Sequence, residues 1–119
     1  MMSTKTVLIV EDDQAIRDMI RSILEIEGYE VRAASNGAEG IQLLQQNGVP
    51  SVVILDMMMP KMNGWDFLDV MRSNPKTADI PVVVVSAYGE IAKSVKPTCY
   101  VPKPVKLEAL LSALESCAA

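Results

Sequence analysis

The chain has 119 residues, half of them hydrophobic, which fits one packed domain and is not the composition of a disordered chain. With 11 Lys and Arg against 15 Asp and Glu, the net charge is −4. The chain has no basic run, which disfavours direct nucleic-acid binding. It also contains no histidine, which excludes histidine-based catalysis, histidine metal ligation and a phosphohistidine on this chain.

Strand-like and helix-like segments alternate along the chain. An apolar run at residues 6–10 predicts the first strand, and hydrophobic residues at helical spacing from Ile16 to Ile23 predict the first helix. Alternating polar and apolar residues over 30–34 predict a half-exposed edge strand, and a second helix is expected over about 37–46. The remaining predicted elements are a strand at 52–55, a helix at 64–73, a strand at 81–85, a weak short helix within 89–95, a strand at 98–101 and a helix at 106–116.

This alternation predicts an α/β fold. Strands separated by helices run parallel, and right-handed crossovers place helices on both faces of the sheet. Five such units are too few for the usual eight-stranded barrel, so an open, doubly wound (βα)5 sheet is expected. The polar strand at 30–34 belongs at an edge, which favours the flavodoxin-like order 2-1-3-4-5. Residues 1–119 are expected to form a single domain with a core of about 5–116.

The N-terminal segment, the short apolar runs and the two cysteines predict a cytoplasmic protein. The N-terminal segment lacks the apolar stretch of a secretion signal, and no apolar run is long enough to cross a bilayer. Cys99 and Cys117 do not have a metal-type spacing. They are expected to be two reduced, unrelated thiols.

Polar side chains follow four of the predicted strands, at the sheet edge where open parallel sheets bind ligands. Glu11 and Asp12 follow the first strand, Asp56 the third, Ser86 the fourth and Lys103 the fifth. Each of these residues alone has an ordinary explanation, such as a helix cap or a solvated charge. Their joint occurrence predicts one cleft that holds three carboxylates, a hydroxyl and an ammonium group.

This set of side chains favours phosphoryl chemistry. Neighbouring carboxylates repel one another unless a cation offsets them, and Mg²⁺ prefers such oxygen ligands together with phosphate oxygens. A carboxylate beside bound Mg²⁺ can attack a phosphoryl group and form an aspartyl phosphate. Asp56 is the candidate acceptor, and Lys103 and Ser86 are placed to contact the phosphoryl oxygens.

With these residues in this order, the sequence resembles the CheY-like receiver domain of two-component response regulators. The resemblance covers nearly the whole chain and is carried by four segments in order, VLIVEDDQAIR, ILDMMMPKMNGWDFL, VVVVSA and YVPKP. It implies that Asp56 is the phosphoacceptor. It also implies that Mg²⁺ is bound by Asp12 and Asp56, by Glu11 through water and by the main-chain carbonyl of Met58.

The resemblance also implies a switch. Ser86 would move toward the phosphoryl group, Tyr100 would change rotamer with it, Lys103 would pair with the phosphoryl group, and Pro104 would follow a cis peptide bond. The implied partners are a histidine kinase or histidine phosphotransfer protein as donor and a downstream effector protein as target. A monomer is expected, without nucleic-acid or membrane binding and without enzymatic activity beyond self-phosphorylation and self-dephosphorylation.

One departure from the family pattern leaves an alternative open. Only 17 positions separate Ser86 from Lys103, and Lys96-Pro97-Thr98 stands where the family usually has Gly-Ala. A shortened fourth helix is therefore expected, and the alternative function is an interaction module that works independently of phosphorylation. A small hydrolase or phosphotransferase is disfavoured because little chain remains to form a substrate pocket, and flavin binding is disfavoured by the acids after the first strand.

Overall fold

The computed structural model describes residues 5–46, 48–59 and 61–117. Within these ranges, five strands alternate with five helices. In chain order they are β1 (Thr6–Val10), α1 (Gln14–Ile26), β2 (Glu30–Ala34), α2 (Gly37–Gln45), β3 (Val52–Asp56), α3 (Gly64–Ser73), β4 (Val82–Ser86), α4 (Gly89–Ser94), β5 (Cys99–Pro102) and α5 (Leu107–Cys117). The predicted alternation is confirmed, with differences of one or two residues at the ends of most elements.

The five strands form one parallel sheet in the order β2-β1-β3-β4-β5, as predicted. β3 and β4 are buried at every position, as expected for central strands of a parallel sheet. β2 lies at one edge and exposes Glu30, which agrees with its polar pattern. The register pairs Val10 with Leu55 and Asp56 with Val85, so β1, β3 and β4 end side by side.

Each face of the sheet is covered by helices, because alternate side chains of a strand point to opposite faces. Leu55 of β3 packs with Phe67 and other residues of α2 and α3, whereas Ile54 packs with Ile20 of α1 and Leu110 of α5. These side chains are at most 2% exposed, and burying one of them contributes about 1.5–3 kcal/mol to stability. Because the helices cover the faces of the sheet, its carboxyl edge is formed by the loops.

The fourth helix is short, as expected. α4 has six residues, and its N-terminal cap position, Tyr88, provides no side-chain hydrogen bond. Its C-terminal end is held instead by Arg72 of α3, whose guanidinium donates to the main-chain carbonyls of Val95 at 2.7 Å and Lys96 at 3.1 Å. This arginine therefore fixes the path of the chain between α4 and β5.

The expectation of two unrelated thiols is wrong. Cys99, the first residue of β5, and Cys117, the last residue of α5, form a disulfide with their Cα atoms 6.5 Å apart. The fold explains the pairing, because α5 turns back and packs along β5, so that its end reaches the start of that strand. Among the described residues, no helix combines the length and apolar character needed to cross a bilayer.

Candidate functional site

Three carboxylates meet at the carboxyl edge of the sheet. Oxygen atoms of Glu11, Asp12 and Asp56 all lie within 4.8 Å of one another. Glu11 and Asp56 are almost inaccessible, at 2% and 4% exposure, while Asp12 is exposed. The adjacent strands β1 and β3 place these residues together, although 44 positions separate Asp12 from Asp56 in the chain. We call these three residues the acidic cluster.

A lysine from the loop after β5 provides the positive charge at the acidic cluster. The Nζ atom of Lys103 lies 3.0 Å from Oε1 of Glu11 and 3.5 Å from Oδ2 of Asp56. Its main-chain N–H donates to the carbonyl of Ser86 at 3.0 Å, which fixes the loop against β4. The peptide bond between Lys103 and Pro104 is cis, as the resemblance implied.

The charges of the acidic cluster are not balanced by Lys103 alone. Burial and the neighbouring Glu11 carboxylate raise the pKa of Asp56 from 3.8 to about 7. Burial opposes the ionisation of Asp12, but hydrogen bonds to Asp56 and Glu11 outweigh it and lower the pKa of Asp12. Burial also opposes the charge on Lys103, but its contact with Glu11 outweighs this effect and raises the pKa of the ammonium group. In the absence of a cation, the Asp56 carboxyl is therefore mostly protonated below about pH 7.

Two nearby residues, Asp13 and Arg17, hold the acidic pair after β1 in place. The N–H of Asp13 donates to Oε2 of Glu11 at 3.2 Å, and the Asp13 side chain caps α1 by accepting from the N–H of Ile16. Arg17 donates from Nη1 to the carbonyls of Glu11 at 2.9 Å and Asp12 at 3.4 Å. Arg17 lies four residues after the helix cap, and that position on the first turn is the only sequence signal for its role.

The loop after β3 positions one oxygen of Asp56. The main-chain N–H of Met58 donates to Oδ1 of Asp56 at 3.2 Å, while the Met58 side chain is 56% exposed at the rim of the site. Met57 is completely buried, and its carbonyl accepts from the N–H of Gly64 at 3.0 Å. This hydrogen bond holds Met57 beside the first residue of α3.

Ser86 lies at the end of β4 and is 2% exposed. Its Oγ accepts from the N–H of Tyr88 at 3.0 Å and donates to the carbonyl of Tyr88 at 3.3 Å. The hydroxyl of Tyr100 donates to the main-chain carbonyl of Ser86 at 3.0 Å. The serine side chain is thus bound to its own loop, and its main chain is bound to the aromatic residue behind it.

The residues at the strand ends surround an open cleft of about 240 Å³, which we call the site cleft. Five of the sequence-predicted residues line it, namely Asp12, Asp56, Met58, Ser86 and Lys103. Tyr100 does not line the site cleft and lies behind Ser86. The remaining lining residues were not among the predicted site residues; they are Asp13, Ile16, Ala87 and Tyr88. Asp13 had a signal in its place in the run of three acids.

A comparison with protein families assigns the chain to a family. The family model described as "Response regulator receiver domain" matches residues 7–115. The chain belongs to the response regulator receiver domain family. This is a family of two-component signalling domains, and the match spans every strand of the sheet and most of α5.

Similar proteins agree with this assignment. This receiver domain is 35% identical over 111 residues to the DNA-binding dual master transcriptional regulator RpaA of a Synechocystis species, covering 89% of this chain and 46% of that protein. It is 34% identical over 115 residues to the response regulator MprA of a Mycobacterium species, covering 92% of this chain and 49% of that protein. The receiver domain thus spans about half the length of these curated relatives.

Solved structures show the same fold. The chemotaxis protein CheY4 of Vibrio cholerae superposes with a TM-score of 0.88 at 29% identity, covering 97% of this chain and 99% of that chain. A response regulator from Chloroflexus aurantiacus superposes with a TM-score of 0.86 at 28% identity, covering 98% and 100% of the two chains. The five-stranded order and the helical layers are therefore those of CheY-like receivers.

Proposed function

We propose that this receiver domain is a phosphorylation switch in which Asp56 accepts a phosphoryl group in the presence of Mg²⁺. The observation that carries the proposal is the acidic cluster with Lys103 beside it, at one end of the sheet. Burying the carboxylates of Glu11 and Asp56 opposes folding unless their charges are compensated. A chain that nevertheless gathers them with Asp12 at one open cleft is best explained by a binding function.

The donor set suits a hard divalent cation. Glu11, Asp12 and Asp56 offer carboxylate oxygens, which Mg²⁺ prefers. Burial and the neighbouring Glu11 carboxylate both raise the pKa of Asp56, so a bound cation would favour its ionised form. Asp12 and Asp56 would hold the ion directly, with Glu11 contributing through water and the main-chain carbonyl of Met58 as a further ligand. Bound Mg²⁺ would neutralise charge on a transferring phosphoryl group.

In the proposed reaction, a carboxylate oxygen of Asp56 attacks the phosphorus atom of a phosphohistidine on a donor protein. The new O–P bond forms as the P–N bond breaks, and the electron pair stays with the leaving imidazole. The N–H of Met58 orients one Asp56 oxygen, and Lys103 is near enough to exchange a carboxylate contact for one with a phosphoryl oxygen. The donor would be a histidine kinase or a histidine phosphotransfer protein.

The switch follows from the hydrogen bonds of Ser86. Its Oγ donates to the Tyr88 carbonyl at 3.3 Å, a long hydrogen bond that costs little to break. A phosphoryl group on Asp56 would supply three stronger acceptors and draw the hydroxyl into the site cleft. Because Tyr100 donates to the carbonyl of the same serine, this movement would alter the aromatic residue and the surface of α4 and β5. A downstream effector protein would bind that surface.

A direct test is phosphorylation by acetyl phosphate. The wild-type chain with Mg²⁺ is expected to gain one acid-labile phosphate by intact mass, and the Asp56→Asn variant is expected to gain none. Asp69→Asn is the matched control, because Asp69 is an exposed carboxylate of α3 outside the acidic cluster. Equal labelling of the wild type and Asp56→Asn would refute the assignment of the acceptor.

A second test uses the single tryptophan. Trp65, at the start of α3, is partly buried and lines a cavity with Met57, Met58 and Asn63 beside the Asp56 loop. Adding Mg²⁺ is expected to change its fluorescence in the wild type, and Asp12→Asn is expected to weaken that response at least tenfold in Mg²⁺ concentration. A flat titration of the wild type contradicts a metal site at the acidic cluster.

The six-residue α4 favours a second candidate function, a receiver that binds its partner independently of phosphorylation. With so short a helix, less surface between β4 and β5 is available to change on phosphorylation. In this case Asp56→Ala would leave partner binding unchanged. A phosphorylation-dependent change in affinity for the same partner would exclude it.

A further inference from the structure

We propose that Cys99 and Cys117 form a reversible dithiol–disulfide pair, a redox modification site that fixes the end of α5 to the start of β5. The site is separate from the acidic cluster. Cys99 is the first residue of β5, whereas Lys103 follows the last residue of that strand, so the two lie at opposite ends of β5. The inference does not depend on phosphorylation of Asp56.

The geometry allows the bond without rearrangement of the main chain. The Cα atoms of Cys99 and Cys117 are 6.5 Å apart, and disulfides usually span about 4.4–6.8 Å. Both cysteines pack in the apolar layer between the sheet and helices α1 and α5. The bond closes a loop of the chain, with a sequence separation of 18, that contains Lys103 and the whole of α5.

The same surroundings accommodate the reduced form. The Sγ atom of Cys99 lies 3.7 Å from the main-chain carbonyl oxygen of Ala113, which can accept a weak hydrogen bond from a thiol. Cys117 is 9% exposed and would behave as a small apolar side chain in the reduced state. A neutral thiol at either position adds no charge to this apolar layer, so the surroundings are compatible with both redox states.

The two cysteines differ in access, which orders the steps of oxidation. Cys99 is half-buried on β5, the strand at one edge of the sheet, whereas Cys117 is buried. The Cys99 thiolate attacks a sulfur of glutathione disulfide, forming a mixed disulfide and releasing one glutathione thiolate. The Cys117 thiolate then attacks the Cys99 sulfur and releases the second. Two protein thiols are oxidised, one glutathione disulfide is reduced to two thiols, and a dithiol reductant reverses the exchange.

Oxidation would act on the face of the domain formed by β5 and α5. Tyr100 is the next residue of β5 after Cys99, and it contacts the opposite layer of the core from Cys99. A covalent bond at Cys99 therefore anchors the strand that carries the proposed aromatic switch residue. It also prevents the last turn of α5 from separating from the sheet.

The first test measures thiol oxidation in the full chain. Protein is equilibrated with mixtures of reduced and oxidised glutathione, quenched with acid, unfolded and alkylated with iodoacetamide for intact mass. We expect a single intramolecular disulfide in the wild type. The equilibrium constant is expected to be roughly 100-fold larger in the folded chain than in urea, because the fold holds the two ends of the loop together.

Variants distinguish the pair from unrelated reactive thiols. Cys99→Ser and Cys117→Ser each leave one thiol. Cys99→Ser is expected to form a mixed disulfide with oxidised glutathione more slowly than Cys117→Ser, because its remaining thiol, Cys117, is buried. In the wild type, amide exchange in the last turn of α5 is expected to slow on oxidation. The variant that carries both Cys99→Ser and Cys117→Ser is expected to show no such change. Equal equilibrium constants in folded and urea-unfolded chains, glutathione adducts without ring closure, or disulfide-linked dimers would each overturn the proposal.

Discussion

The hydroxyl of Tyr100 and the main-chain N–H of Lys103 donate to the same carbonyl oxygen, that of Ser86, each at 3.0 Å. One carbonyl at the end of β4 therefore joins the aromatic residue of β5 to the lysine of the site cleft. A change in the position of Ser86 affects both neighbours.

Tyr100→Phe tests the strength of this connection. The variant keeps the ring in the core and removes one hydrogen bond to a partly buried acceptor, so the free energy of unfolding is expected to fall by about 0.5–1.5 kcal/mol. Urea unfolding measures the difference. The control is Tyr88→Phe, because Tyr88 is 61% exposed and its hydroxyl forms no hydrogen bond with the residues that the structure describes. Equal effects of the two variants would contradict the importance of the Ser86 contact.

Asp56 is expected to make stability depend on pH when divalent ions are absent. The folded chain holds a proton on Asp56 up to a pKa of about 7, whereas the unfolded carboxyl releases it near 3.8. Between these values the folded state binds more protons, so the free energy of unfolding falls as the pH rises toward 7 and is level above it.

The Asp56→Asn variant should lack this dependence. In EDTA at pH about 8, its free energy of unfolding is expected to exceed that of the wild type by about 1–2 kcal/mol. Solvent at the open site cleft screens the charges and keeps this difference small. The difference should vanish near pH 4. Urea unfolding across this pH range measures it, with Asp69→Asn as the control. A difference that stays constant with pH would show that the carboxyl is not the cause.

Arg72→Ala is expected to release the chain between α4 and β5. The guanidinium makes two hydrogen bonds to main-chain carbonyls there, and losing them should cost about 1–3 kcal/mol and increase amide exchange in α4. Lys cannot reproduce both bonds, so Arg72→Lys should restore only part of the loss.

The control for this prediction is Arg21→Ala. Arg21 forms an exposed ion pair with Glu25 on α1 at 3.7 Å, and removing it should cost less than about 0.5 kcal/mol. If Arg72→Ala proves as mild as Arg21→Ala, another contact must hold the loop.

Gly64→Ala should damage the loop that follows Asp56. A Cβ atom at Gly64 would lie 2.6 Å from Sδ and 2.7 Å from Cα of Met57, and the main-chain contact cannot be relieved by a rotamer change. We expect a loss of about 1–3 kcal/mol and weaker phosphorylation of Asp56. Gly89→Ala is the control, since its Cβ would meet Tyr100 at 3.7 Å, an ordinary contact, and calorimetry should find it close to neutral.

Much of the fold could be predicted because local patterns and global topology agree. β4 is marked by four consecutive valines, and the strand Glu30–Ala34 by its polar residues, which place it at an edge. Asp12, Asp56, Ser86 and Lys103 could be grouped because each lies at or just after the carboxyl end of a strand of one parallel sheet. This grouping needs only the strand order and no knowledge of side-chain contacts.

Contacts between distant loops and helices could not be predicted in this way. The disulfide depends on where α5 ends relative to β5, which the spacing of Cys99 and Cys117 does not encode. The bonds of Arg72 depend on the path of a short loop that has no regular pattern. In both cases the partner is chosen by three-dimensional packing, and the sequence around the residue carries no signal for it.

The acidic cluster is assembled from two strands that meet only after the sheet has formed. An unfolded chain carries the same carboxylates but keeps them far apart, so it has neither the raised pKa of Asp56 nor carboxylates close enough together to hold an ion. Any signalling that depends on the acidic cluster is therefore restricted to folded molecules. Unfolded or newly synthesised chains lack it until the sheet has formed.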